Sequence, residues 1–110
     1  MNRFFPIVFL TFMFLNIFAI GGAFAAGSED GALLFQLNCS ACHKDGGNFI
    51  SPAATLKKKA LERSGNFSTE AIINRVTNGR GRMPAFKGRL DEKQIEAIAA
   101  YVMEQAQKGW

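Results

Sequence analysis

Cys39-Ser40-Ala41-Cys42-His43 is the stretch of this chain on which the reading of its fold turns. Two residues separate the thiols. That spacing lets both add across the two vinyl groups of one haem, and the adjacent imidazole then lies over the iron. Two other chemistries use a pair of close cysteines. A thioredoxin-like Cys-x-x-Cys needs a βαβ setting, and nothing around these residues alternates like a strand. A zinc site takes about four ligands, whereas the chain holds only these 2 cysteines and 1 histidine. The residues therefore favour one covalently attached haem c, bound through Cys39 and Cys42, with its iron ligated by His43.

Outward from the motif, four short helical patterns are joined by Gly-rich loops, which makes the fold class all-α. The first pattern runs from about Ser28 to Cys39, with Gly31, Leu34, Phe35 and Asn38 at helical spacing. Asp45-Gly46-Gly47-Asn48 and Ser51-Pro52 are loop by composition. Leu56 to Arg63 makes two turns, which Ser64-Gly65-Asn66 ends. Ser68 is a suitable N-cap for a helix carrying Ile72, Ile73 and Val76, closed by Asn78-Gly79. Residues 80–88 are irregular. Asp91 then caps the last helix with Gln94 as its capping-box partner. Ile95, Ile98, Ala99, Val102, Met103 and Ala106 give that helix one buried stripe.

A haem iron in an electron carrier takes a sixth ligand, and outside the first 25 residues there are two methionines. Met103 belongs to the stripe of the last helix and reads as core. Met83 lies in the irregular loop, where Pro84 restricts it to extended geometry. It is the soft donor left for the iron, and a thioether favours the reduced metal.

Residues 4–24 are apolar, follow Arg3, and end in the small-residue pattern Ala23-Phe24-Ala25. A basic start, an apolar run and an Ala-x-Ala site describe a signal peptide over residues 1–25, cleaved before Ala26. An uncleaved anchor is the other reading, since the run is long enough to span a membrane. No Arg- and Ser-rich transit sequence precedes it. The domain is then 26–110, short for a self-sufficient apolar core and helped by a cofactor. Of the 13 basic residues only Arg3 lies in the leader, so the domain keeps 12 against 9 acidic ones. A bias so mild does not argue for nucleic acid and suits partner docking. The run Lys57-Lys58-Lys59 reads as a solvated face.

These residues resemble the cytochrome c6 family, the small soluble class I c-type cytochromes of cyanobacteria and algal plastids. The likeness rests on Cys39 to His43, Pro52-x-x-Thr-Leu-Lys57, Asn78-Gly79-Arg80 leading to Met83-Pro84-Ala85-Phe86, and Tyr101-Val102 through Lys108-Gly109-Trp110. It implies a class I cytochrome c fold, with about four short helices around the haem and one haem edge exposed. It implies a non-enzymatic role, in which a monomer in the thylakoid lumen carries one electron from the cytochrome b6f complex (cytochrome f) to photosystem I. It also implies that the Pro52 carbonyl accepts the Nδ1 proton of His43, that Gly31 and Phe35 meet Tyr101, and that Lys57 pairs with a haem propionate. One departure is visible. Family members usually read Tyr-Gln ahead of Val-x-Asn-Gly, with that Gln near the haem; this chain has Asn74-Arg75. A fixed positive charge there should disfavour the ferric state.

Three other functions stay open on the residues alone. A periplasmic cytochrome feeding a terminal oxidase would share the haem motif. A haem peroxidase or gas sensor needs an open distal site, so Met83 must not bind iron. A structural zinc module would be colourless.

Overall fold

The computed structural model describes residues 30–110; the expected signal peptide lies outside the described residues. Five helices and no strand occur among them: α1 Gly31–Asn38, α2 Ser40–His43, α3 Lys58–Arg63, α4 Thr69–Asn78 and α5 Glu92–Lys108. One 3₁₀ turn, Lys44–Gly46, follows α2. The sequence pattern suggests about four helices. The additional one is the cysteine motif itself, which breaks from α1 at Cys39 and makes its own turn.

The longer helices start and stop for identifiable reasons. The Asp91 side chain accepts from the Gln94 amide at 2.8 Å while Gln94 reaches back to the Asp91 amide at 3.0 Å. Two otherwise orphaned N–H groups are thus satisfied at the start of α5. Ser68 Oγ accepts from the Ala71 amide at the start of α4. α1 is capped by Asp30, whose carboxylate accepts from the Leu33 amide, so its regular turns begin later than the apolar spacing suggests. α3 begins at Lys58 instead of Leu56, because Lys57 is held in extended geometry at φ -67, ψ 145 and serves as the N-cap.

α5 is the spine of the molecule. Its Ile98 and Ala99 are almost wholly buried, and Ile95, Val102 and Ala106 continue that face against Phe35 of α1, Leu61 of α3 and Ile72 and Val76 of α4. α1 crosses α5 at Gly31, where a methyl group would strike the Ala97 carbonyl and the Tyr101 Cβ. Only a residue without Cβ allows two backbones so close. Phe35 then stacks on Tyr101, with ring centroids 5.3 Å apart, the meeting that the resemblance implies. No buried polar side chain interrupts this core among the described residues.

Candidate metal centre

The motif's own backbone gathers its reactive side chains. The Cys42 and His43 amides both donate to the Cys39 carbonyl, at 3.2 and 2.8 Å. Residues three and four apart on such a turn share a face. Cys39, Cys42 and His43 consequently line one cavity of about 530 Å³, together with Phe35, Leu56, Leu61, Ile72, Val76, Phe86, Ile98 and Val102. Burial, and then the neighbouring Cys42 thiol, push Cys39 up to about 11 from an ordinary 9.0. No group of three or more His, Cys, Asp and Glu side chains that could hold a metal ion gathers among the described residues.

His43 is oriented by the loop that follows it. Its Nδ1 lies 2.9 Å from the Gly47 carbonyl oxygen. A carbonyl can only accept, so the proton sits on Nδ1 and the Nε2 lone pair is left for a metal. This corrects the Pro52 assignment: Pro52 is exposed and off the cavity wall. The physical reason is a tight reversal, in which the Gly47 amide donates to the Lys44 carbonyl at 3.0 Å and turns the Gly47 carbonyl under the ring. Lys57 is also off the wall; its ammonium donates to the Asp45 carbonyl at 3.2 Å.

Met83 reaches the same cavity through a backbone turn that the irregular composition of 80–88 conceals. The Arg80 amide donates to the Met83 carbonyl and the Met83 amide to the Arg80 carbonyl, both at 3.0 Å, with Gly81 and Arg82 at the tip. The turn is tied back to α4 where the Phe86 amide donates to the Val76 carbonyl at 2.9 Å. Gly79 makes the join at φ +67, and a Cβ there would come within 2.5 Å of the Met83 carbonyl oxygen. Met103 sits on α5 packed against the core and away from the cavity.

The charge of the wall is one-sided. Arg75, Arg80 and Arg82 line the cavity, and no Asp or Glu does. Arg75 is half-buried, and its guanidinium has a neutral partner, Asn66 Oδ1 at 3.4 Å. Arg80 and Arg82 are exposed at the Arg80–Met83 turn.

A paired-thiol turn, one aimed imidazole and a thioether on an apolar cavity is the donor set of a haem held through both cysteines. The comparisons agree. A family model described as cytochrome c oxidase, cbb3-type, subunit III matches residues 26–102. Cytochrome c6 of a Synechococcus species is 48% identical over 110 residues, covering 100% of this chain and 98% of that one. The chain belongs to the cytochrome c6 family. Cytochrome c6 of Leptolyngbya boryana is 52% identical over 85 residues, 77% of this chain and 100% of that protein. The crystal structure of cytochrome c6 from the diatom Phaeodactylum tricornutum superposes with a TM-score of 0.72 at 44% identity, over 74% of this chain and 95% of that one.

As a member of the cytochrome c6 family, the protein carries one covalently bound haem c and its iron, and it is an electron carrier. When bound, the haem supplies a one-electron iron couple. The cavity's apolar side chains would surround it, the Gly47 carbonyl would accept the Nδ1 proton of His43 and so orient the ring, and Arg75, Arg80 and Arg82 would place positive charge along the wall.

Proposed function

We propose that this protein is a soluble monomer of the thylakoid lumen that takes one electron from the cytochrome b6f complex, through cytochrome f, and delivers it to photosystem I. In this reading Cys39 and Cys42 form the thioethers, and His43 and Met83 are the axial ligands of the iron. The observation that carries it is the convergence of those four side chains on one apolar cavity whose wall bears three arginines and no carboxylate. A thioether sixth ligand raises the potential, and a filled coordination sphere leaves no site for a peroxide or a gas. Residues 1–25 are a cleaved signal peptide; the 85-residue span matched in the Leptolyngbya relative, all of that protein, supports a domain of 26–110.

Arg80 and Arg82 flank the tip of the turn that supplies Met83 and are the candidate steering charges toward an acidic patch on the acceptor. Rim charges act chiefly on the rate of encounter and are screened by salt. The test is flash-induced reduction of photosystem I by the purified haem protein. Arg80→Glu and Arg82→Glu should each slow the second-order rate at low salt and flatten its salt dependence. Lys108→Glu, whose lysine pairs with Glu104 on the exposed side of α5, serves as the control. Equal slowing by all three would remove the steering role, and faster turnover with a terminal oxidase than with photosystem I would favour the periplasmic alternative. Met83→Ala should open the iron to added imidazole, whereas Met103→Leu should leave the spectrum as it is.

A further inference from the structure

Trp110 makes contacts that core packing alone does not require. One side of its ring meets the aromatic cluster, with centroids 5.3 Å from Phe35 and 6.0 Å from Tyr101. The ring also covers Gly46 so closely that a Cβ there would strike Cδ2, Cε2 and Cγ of the indole. Its Nε1–H donates to the Leu56 carbonyl at 2.9 Å, and the Leu56 amide donates in turn to the Gly46 carbonyl at 2.8 Å. The indole thus presses on one end of the 46–56 loop and is hydrogen-bonded to the other. Gly46 is buried beneath it. The next residue, Gly47, holds the Nδ1 proton of His43.

We propose that Trp110 is a positioning residue for the imidazole of His43, acting through Gly46 and Gly47. The proposal rests on the reading that His43 ligates the iron. An imidazole that donates Nδ1–H to a well-placed carbonyl is the stronger donor through Nε2, and its ring is fixed in orientation. A stronger donor favours the ferric state. Loosening the Gly46–Gly47 peptide lengthens that hydrogen bond, so losing the indole should raise the midpoint potential. The directional part is the Nε1–H bond to Leu56: phenylalanine could fill the aromatic cluster and press on Gly46, but it has no donor to hold the far end of the loop.

The experiment compares the haem-loaded wild type with Trp110→Phe and Trp110→Ala, and uses Tyr101→Phe as the control within the same cluster. Two quantities are read: the midpoint potential by redox titration, and the exchange rate of the His43 Nδ1 proton by NMR of the ferrous protein. Trp110→Phe should shift the one-electron equilibrium about two- to threefold toward ferrous, or about 20–30 mV where tenfold is about 59 mV. Its Nδ1 proton should exchange several-fold faster. Trp110→Ala should move both further in the same direction where it folds, and Tyr101→Phe should move neither. Unchanged potential and exchange in Trp110→Phe would overturn the proposal, whatever happens to its melting temperature. An equal shift in Tyr101→Phe would overturn it as well, by showing a diffuse packing effect. A wild-type spectrum without histidine ligation would overturn the underlying ligand assignment instead, and it is seen before any variant is made.

Discussion

The α1–α5 crossing and the two loops of the cavity wall, 44–57 and 79–88, are built by different means. At the crossing, side chains decide: Gly31 lets the backbones approach, and Phe35, Ile98, Ala99 and Val102 fill what remains. In the loops, backbone groups decide. The Gly47 carbonyl holds the His43 ring, while Leu56 ties to Gly46 and Arg80 pairs with Met83 through carbonyls and amides. The two meet at Phe35, Ile98 and Val102, which fill the crossing and also line the cavity, whereas Gly31 belongs to the scaffold and not to the cavity wall. Substitutions on each side should separate stability from redox behaviour.

The largest expected effect is on the scaffold. Gly31→Val should cost about 3 kcal/mol or more, because the new side chain meets the Ala97 carbonyl and a packed core cannot yield. Urea unfolding of the haem protein measures it, and the folded fraction should keep the wild-type spectrum; an altered spectrum would dissolve the division. Next comes the Arg80–Met83 turn. Gly79→Ala should cost about 2 kcal/mol, since the residue sits at φ +67 against the Met83 carbonyl. Unlike Gly31→Val, it should change the spectrum, by weakening the proposed bond from Met83 to the iron.

Arg75→Gln sharpens the comparison from the site's side. At an effective dielectric of ~20, a unit charge about 10 Å from the iron is equivalent to roughly a tenfold change in a one-electron equilibrium, and Arg75 on the cavity wall is the charge to test. The midpoint should fall by about 59 mV for each tenfold, with Arg75→Lys keeping most of the wild-type value. An unmoved potential would place the guanidinium's influence in solvent. The smallest effect is Asp91→Ala, which removes the α5 cap and should lower stability by about 1 kcal/mol with no change in potential.

The same division explains what could be read from the residues. The stripe of α5, its Asp91–Gln94 capping box and the Ser68 cap are side-chain signals, and the structure contains each of them. The cysteine motif is legible for the same reason, because its chemistry is written in residue types. The partner of His43 is not. Any residue supplies a carbonyl, so whether Gly47 or Pro52 does so depends on how the Gly46–Gly47 turn folds back. The Arg80–Met83 turn is hidden likewise, since its hydrogen bonds are backbone to backbone and its composition reads as loop. The Asp30 cap is within reach, as an acidic residue three positions before Leu33, but the apolar spacing draws the helix start to Ser28.

The crossing at Gly31 also governs when this protein can become a protein. α1 and α5 are the elements farthest apart along the described chain, yet each is the other's principal support. A ribosome that has made α1 through α4 has made nothing that can close, because the helix that buries Phe35 does not yet exist. Contacts between such distant segments form late and slowly. For a chain that is exported as a thread, as the proposed signal peptide requires, and then offers two open thiols for attachment, late closure is useful. Until α5 packs on α1, the cavity between them would stay open to attachment.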